Sequence, residues 1–459
     1  MWAYRLMRWF LRQVVRTFYR QVVAVGLENI PPEGSGPVLF AGNHPNSLID
    51  PLLIVATSGR IVCFAAKDTL FRSRLLRVFL RALGAVPIRR RMDHGEGSHI
   101  DNSEAFDALF GVLAGGRCIG IFPEGISHDQ AQLARLKTGA ARIAYGVMAQ
   151  RPDLPLRVVP CGLTYIHRRH FRSRVLVQYG PPIVIGAEEL GRYAADERKA
   201  VRDLTADIDA GLRALTINAS DWDTLRVLDA VRRMYQPPKI PLRDRVELAR
   251  RFSLVYEQVK DEPDVVRLFE RVRDYNRRLR DVGLTDAQLR RPLRPAAVAG
   301  KIAWQLWWVL VLLPLAAPGV VVHAPIGMLM VWAGQRWAPR KDVVGTSKLV
   351  IGLLLVAIAY AGLCAAAAIA YGPHALALAL VLLPLSAYAT IRVLERAASV
   401  RRLLMRVLRT LVLGREVAAL RALRAELEGE IVTAVERFRP RDMQPLYPRP
   451  RSGEAAELP

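Results

Sequence analysis

From Ile302 to Gln335, and again from Leu349 to Ile391, the chain contains no Asp, Glu, Lys or Arg. Runs this apolar are expected to lie in a lipid bilayer, where only a structure that satisfies its own backbone amides can span. Pro314, Pro318, Gly319 and Pro325 interrupt the first run, and a straight helix of its length would overrun the ~30 Å hydrocarbon core, so the sequence predicts a re-entrant hairpin over 302–335. Tyr371-Gly372-Pro373 divides the second run into two expected spans, 349–371 and 374–391, within a membrane region of 301–392. The flanks Arg290 to Lys301, Arg336 to Lys348 and Arg392 to Arg402 are all basic, which predicts that each stays on the cytoplasmic face of the membrane.

The remaining composition agrees with a membrane surface. A net charge of +24 beside 52% hydrophobic residues suits a chain that lies on anionic lipid and also enters it. A nucleic-acid binder would share the charge but has no use for the charge-free runs, so no nucleic-acid partner is expected. Cys63, Cys118, Cys161 and Cys364 are scattered singly and read as small buried apolar residues of a reducing compartment, with neither a disulfide framework nor a metal site. Trp2 to Arg20 forms an amphipathic helix candidate, with Arg5, Arg8, Arg12, Arg16 and Arg20 on one stripe and Ala3, Met7, Phe10, Leu11, Val14 and Phe18 opposite. Residues 1–24 are accordingly expected to lie in the headgroup region, and no signal peptide is expected.

Between Pro37 and Gly180 strand-like and helical segments alternate, which indicates an α/β domain built on a mixed sheet. The expected strands are Val38–Phe40, Ile61–Ala65, Ala85–Ile88, Arg117–Phe122, Arg157–Leu163 and Val175–Tyr179. Helices are expected at Leu75–Ala82, Ser103–Ala114 and Gly139–Ala149. The stretch Ala41-Gly42-Asn43-His44-Pro45-Asn46-Ser47-Leu48-Ile49-Asp50-Pro51 follows the first strand and sets a His and an Asp on a turn. Histidine is the side chain best suited to general-base work near neutral pH, and a carboxylate on its other ring nitrogen fixes the tautomer. Such a pair can deprotonate a hydroxyl.

Three further stretches follow in order: Gly84-Ala85-Val86-Pro87-Ile88-Arg89-Arg90, Ile121-Phe122-Pro123-Glu124-Gly125-Ile126-Ser127 and Val158-Val159-Pro160-Cys161-Gly162. With the His44/Asp50 element they resemble the four sequence blocks of the glycerolipid acyltransferase superfamily over roughly Val25 to Ile185. The wording His-Pro-Asn-Ser-Leu-Ile-Asp-Pro is similar to the yeast-type glycerol-3-phosphate and dihydroxyacetone-phosphate acyltransferases and their bacterial relatives. The superfamily pattern places four residues between His and Asp, whereas Pro45 to Ile49 make five here. One extra residue turns a side chain by about 100° in a helix. Pro45 disfavours helix at His44 and can hold that residue in a loop, so that the helix begins later.

The resemblance implies transfer of a fatty acyl group from a thioester to a glycerol-phosphate hydroxyl, with His44 as base and Asp50 orienting it. It also implies that Arg90 meets the acceptor phosphate, with Arg89 and Arg91 as weaker candidates, and that Glu124 and Gly125 belong to the acceptor site. Lys67 and Lys137 can add positive charge there or remain solvated on the surface. Gly84, Pro123 and Pro160 are expected to be structural, Pro160 ending or bending a strand beside the acyl pocket. His167-Arg168-Arg169-His170 reads as a basic surface rather than a metal site, and His94 and His99 fall in a Gly-rich loop.

The catalytic domain is thus expected at 25–188, a helical extension at 189–300, an amphipathic helical tail at 393–438 and a disordered end at 439–459. The resulting expectation is a membrane-bound O-acyltransferase of phospholipid biosynthesis with its catalytic domain on the cytoplasmic face. The co-substrate is acyl-CoA or the thioester of an acyl carrier protein, with no cofactor besides, and the acceptor is glycerol 3-phosphate or dihydroxyacetone phosphate. The alternatives are a lysophosphatidate acyltransferase and a non-catalytic lipid-binding protein on the same fold.

Overall fold

A computed structural model describes residues 2–72, 74, 77, 80, 81, 84–88, 103–290 and 294–447. The chain forms two compact units, one of Met1–Asn218 with Ala338–Thr346 and the other of Ala219–Trp337 with Ser347–Pro459.

In the first unit the described strands are β1 (Gln21–Val25), β2 (Val38–Gly42), β3 (Val62–Lys67), β4 (Val86–Ile88), β5 (Cys118–Ile121), β6 (Arg157–Tyr165), β7 (Arg174–Tyr179) and β8 (Ile183–Val184). They make one sheet in the order β1-β7-β6-β2-β5-β3-β4, with β8 also on β6. Strands β6, β2, β5, β3 and β4 pair in parallel, while β7 and β8 run antiparallel to β6. Strand β2 lies between β6 and β5 and is buried at every position, which its unbroken apolar run anticipates. The carboxyl ends of β2, β3, β4 and β5 therefore fall along one edge of the sheet, where loops in such folds carry sites.

The six expected strands are all present, while β1 and β8 are additional. Helices α3 (Ser103–Ala114) and α4 (Gly139–Gln150) match their expectation, and most of the expected Leu75–Ala82 helix lies outside the described residues. Helix α2 (Ile49–Thr57) carries the Asp of the turn. Helices α5 (Ala187–Ala195) and α6 (Glu197–Leu215) belong to this unit rather than to a separate extension from residue 189, because Ala200, Val201, Leu204, Ile208 and Leu212 enter the core shared with β2 and α4.

Helix α1 (Trp2–Phe18) departs from the expectation of a helix with its apolar face in lipid. Leu11, Val14, Val15 and Phe18 are buried in the protein, and Arg8 and Arg12 donate to the carbonyls of Gly59 and Ala56, each at 2.7 Å. The exposed face carries Leu6, Trp9 and Phe10 together with Arg5 and Arg16, and the exposed Arg20 follows the helix.

Pro160 does not end its strand, since β6 runs on to Tyr165. Its carbonyl accepts from the Gly180 amide at 2.8 Å, and its missing N–H falls where β6 changes partner from β8 to β7. Its ring packs against Gly211, where a Cβ would come within 2.7 Å of it.

In the second unit, α7 (Trp222–Tyr235), α8 (Leu242–Val259), α9 (Pro263–Asp281), α10 (Asp286–Arg290) and α14 (Gly414–Phe438) form a bundle around Val227, Leu228, Phe269, Val272, Leu427 and Ile431. The supposed extension and the supposed tail thus share one core. Arg439 to Tyr447 is held on this bundle rather than disordered, through Arg251 to the Gln444 carbonyl and Tyr447 to Asp244. Residues 448–459 lie outside the described ones.

Three helices among the described residues, Pro295–Arg336, Lys341–Tyr371 and Pro373–Val412, are long and apolar enough to cross a membrane. They comprise α11 (Pro295–Arg336), α12 (Val344–Tyr371) with a short 3₁₀ turn before it, and α13 (Pro373–Val412). The expected hairpin over 302–335 is therefore a single helix containing Pro314, Pro318 and Pro325. Proline can remain inside an apolar helix when neighbours accommodate the freed backbone groups, and here Gly319 brings α11 so close to α13 that a Cβ would lie 2.5 Å from Thr390 Oγ1. Helix α13 also continues past residue 392, carrying the Arg-rich segment as its own last turns.

Candidate active site

The turn between β2 and α2 resolves the spacing problem. His44 stays outside the helix, and Asn46 to Ile49 form a turn closed by Ile49 N to the Asn46 carbonyl at 3.2 Å. Ser47 absorbs the extra residue at φ +51°, a left-handed conformation uncommon for a non-glycine residue. Asp50 enters the first turn of α2, where a carboxylate is favoured by the helix N-terminus. The outcome is a hydrogen bond of 2.8 Å between His44 Nδ1 and Asp50 Oδ2.

Asp50 is fully buried, and both of its oxygens accept hydrogen bonds. Oδ2 also accepts from the Asn46 amide at 2.7 Å, and Oδ1 accepts from the Tyr165 hydroxyl. Burial, with the charge of Asp50 beside it, raises Tyr165 well above the ordinary phenol range, so this hydroxyl remains a donor. Tyr19 is raised for the same reasons, and its oxygen accepts from Asn46 Nδ2 at 3.2 Å. Asn43 pins the end of β2 to β6 by accepting from Leu163 N at 2.7 Å.

The imidazole of His44 is held by stacking. Its ring lies parallel to Phe122 at 4.1 Å, and Phe122 in turn stacks on Phe64. Glycines admit this ladder, because a Cβ at Gly120 would collide with Phe64 and one at Gly42 would touch Phe122. With Nδ1 committed to Asp50 and the side chain 19% exposed, Nε2 is the ring nitrogen left for a substrate; it has no partner among the described residues.

Glu124 is 3% exposed, and its carboxylate faces inward. It accepts from the His44 amide at 2.7 Å, from Ala134 N at 2.8 Å and from His128 Nε2. This geometry makes it a clamp between two turns rather than an open acceptor for a substrate hydroxyl. Pro123 lies at the base of the same turn, where its carbonyl accepts from Lys137 N at 2.7 Å. Gly125 follows at φ +74°, and the Lys137 side chain lies over it so closely that a Cβ would stand 2.7 Å from Nζ. The structure therefore brings Lys137 to the Glu124–Gly125 turn.

Lys67 ends β3 on the same sheet edge as His44. Gly84, at φ +67° and against Cys63, makes the turn into β4. Strand β4 ends at Ile88, and Arg89, Arg90 and Arg91 lie outside the described residues, as do His94 and His99.

Sequence reasoning passed over Asn46, His128, Tyr165 and Arg168. Asn46 stood in the motif as a turn-forming residue, and His128 stands four positions after Glu124, but Tyr165 offered no local signal. Arg168 was read as surface; instead it is held 3.0 Å from Asp129, its carbonyl accepts from Asn46 Nδ2, and burial lowers its guanidinium from the ordinary range. His167 and His170 lie with ring centres 5.3 Å apart.

Comparison with known proteins finds two family matches. Residues 21–163 match the family described as Acyltransferase, and residues 227–443 match the Glycerol-3-phosphate acyltransferase 2 C-terminal domain. The chain is similar to glycerol-3-phosphate O-acyltransferase 2 of Saccharomyces cerevisiae, with 28% identity over 78% of this chain and 64% of that protein. It is likewise similar to glycerol-3-phosphate O-acyltransferase 1 of the same yeast, with 27% identity over 76% of this chain and 59% of the relative. The chain thus spans about three fifths of the length of these curated relatives. Among solved structures, the 1-acyl-sn-glycerophosphate acyltransferase of Thermotoga maritima matches with 22% identity and a TM-score of 0.31, over 44% of this chain and 80% of that one.

Proposed function

We propose that this chain, which fits the glycerolipid acyltransferase superfamily, is a membrane-bound O-acyltransferase that acylates glycerol 3-phosphate or dihydroxyacetone phosphate in phospholipid biosynthesis. The observation that carries the reading is the His44–Asp50 pair, with Nδ1 tied to a buried carboxylate and Nε2 open. An acceptor hydroxyl placed at Nε2 gives up its proton as its oxygen attacks the thioester carbonyl carbon. The C–O bond forms, the C–S bond breaks, and the departing sulfur takes the proton from the imidazolium to leave as a thiol. A thioester has a good leaving group, so orientation and a general base carry the step without an acyl-enzyme.

Lys137 supplies positive charge for the acceptor phosphate; Arg90 is assigned to the same task on the strength of the sequence resemblance, and Lys67 for its charge at the end of β3. Glu124 is assigned to positioning, since it holds the His44 amide. The reaction as written requires no cofactor beyond the thioester, carried by CoA or by an acyl carrier protein.

The catalytic unit is assigned to the cytoplasmic face. Supporting this, the loop Ala338–Thr346 belongs to that unit and lies in the basic stretch of Arg336, Arg340, Lys341 and Lys348. The exposed Trp9 and Phe10 among Arg5, Arg16 and Arg20 suit contact with anionic headgroups.

The test is acyl transfer by purified, detergent-solubilised protein with a labelled long-chain acyl thioester on either carrier. Glycerol 3-phosphate, dihydroxyacetone phosphate and 1-acylglycerol 3-phosphate are offered separately, and lipid product and free thiol are both followed. Product with either of the first two acceptors is expected. Product only with the third moves the assignment to lysophosphatidate, and no product with any of them leaves a lipid-binding protein as the better reading.

A further inference from the structure

The segment Ala338–Thr346 connects two long apolar helices, yet it belongs to the compact unit that contains the sheet. Its contacts fall on both turns of the candidate site. Asp342 is 3% exposed and accepts from Ser127 Oγ at 2.6 Å, two residues beyond Gly125. One guanidinium nitrogen of Arg340 donates to Ser127 Oγ at 3.1 Å and to Asp342 at 3.0 Å, while the side chain remains 56% exposed. In the first turn of α12, Thr346 Oγ1 donates to the Asn46 carbonyl at 3.1 Å, and Gly345 fits against Asn46 where a Cβ would stand 2.6 Å from Oδ1. Asn46 is the residue whose amide holds Asp50 Oδ2.

These contacts are more than a loop needs in order to lie on a surface. Asp342 and Ser127 are buried polar groups that satisfy each other, and the buried Thr346 hydroxyl is satisfied by Asn46; burial of that kind specifies a position because a lost partner leaves a polar group unpaired. Arg340 uses one nitrogen for anchorage, which leaves further N–H donors in a planar fork suited to phosphate oxygens.

We propose that Ala338–Thr346 completes the acyl-transfer site: Thr346 and Gly345 position the turn that carries Asp50, and the Asp342–Ser127 anchor presents Arg340 to the acceptor phosphate. The proposal rests on the acyl-transfer reading. It means that the two family matches share one site, since residues 338–346 lie inside 227–443 and the residues they hold lie inside 21–163.

Steady-state kinetics of the full chain in detergent test this. Arg340→Gln is expected to raise KM for the acceptor about tenfold or more and leave KM for the thioester unchanged, with Arg340→Lys recovering part of the loss. Thr346→Val is expected to lower kcat about tenfold without moving either KM, and Thr346→Ser to restore it. Transfer by the wild-type chain with Arg340→Gln and Thr346→Val both unchanged overturns this assignment and leaves the acyl-transfer reading intact. A fall confined to the amount of folded protein, with kcat and both KM values unchanged, overturns it equally. No transfer by the wild-type chain overturns the reading and this assignment together.

Discussion

Asp50 in the first unit and Asp286 in the second are both buried carboxylates, 0% and 5% exposed, and each accepts a hydrogen bond from a tyrosine, the half-buried Tyr165 and the buried Tyr275 respectively. They differ in the third member. Asp286 receives Arg424 Nε at 2.9 Å, and Arg424 Nη1 donates in turn to Glu428 at 2.6 Å, so the third member is a guanidinium, which has no atom that accepts a proton. Asp50 receives His44, whose far nitrogen is open. The same Asp–Tyr pair therefore ties a guanidinium into a bundle in one unit and holds an imidazole with an open nitrogen in the other. What separates them is a free end with a proton-accepting atom, not the presence of a buried charge.

The largest expected effect tests that free end. His44→Ala should reduce kcat by about 10³-fold to 10⁴-fold, measured as thiol release, with membrane association unchanged. Transfer at the wild-type rate in this variant would remove His44 from the role of base. Asp286→Ala should act on the other side of the comparison, destabilising the helical bundle by about 1–3 kcal/mol because Arg424 Nε and the Tyr275 hydroxyl lose their buried acceptor while Glu428 still pairs with Arg424. Limited proteolysis and thermal melting read this out, and activity per folded molecule should stay the same.

Glu124→Gln comes next. It keeps the shape but leaves only one accepting oxygen for the His44 and Ala134 amides, and a loss of about 10²-fold in kcat is expected together with a lower melting temperature. The paired variants Tyr165→Phe and Tyr275→Phe sharpen the contrast further. The first should lower kcat about tenfold, whereas the second should leave kcat alone and cost about 1 kcal/mol of bundle stability. Equal effects of the two on kcat would dissolve the distinction.

The smallest effect is in the pH dependence of stability. Burial, and after it the neighbouring Asp charge, raises Tyr165 and Tyr275 in the folded chain, so the folded state retains these protons above the unfolded value of about 10. Stability contributed by the two phenols is thus complete below that pH and declines as pH rises above it. Each Tyr→Phe variant should flatten the alkaline limb of a melting curve.

Much of the unit that contains the sheet could be read from local pattern. Six strands and the helices at Ser103 and Gly139 follow from apolar runs and breakers, and His44 and Asp50 announce themselves as polar residues on a turn after a buried strand. Elements without such a signal were lost. Strand β1 hides behind the amphipathic helix before it, since Gln21 to Val25 becomes a strand only by pairing with β7. The proline-containing run from 302 read as a hairpin because a breaker count cannot include the neighbour that tolerates it. The role given to Glu124 came from its place in a motif, and its side chain could not be aimed without coordinates.

By itself the sequence determined the class of the molecule: an α/β unit with a His–Asp pair, joined to helices apolar enough for a membrane. These features depend on composition and short-range order, which periodicity and turn chemistry report directly. Only the tertiary structure decided that Ser47 takes up the extra residue, that Tyr165 and Asn46 complete the hold on Asp50, and that residues from 338 to 346 return to the site. The Tyr165 bond and the return of 338–346 depend on contacts between positions more than a hundred residues apart, where side-chain packing rather than sequence spacing sets who meets whom.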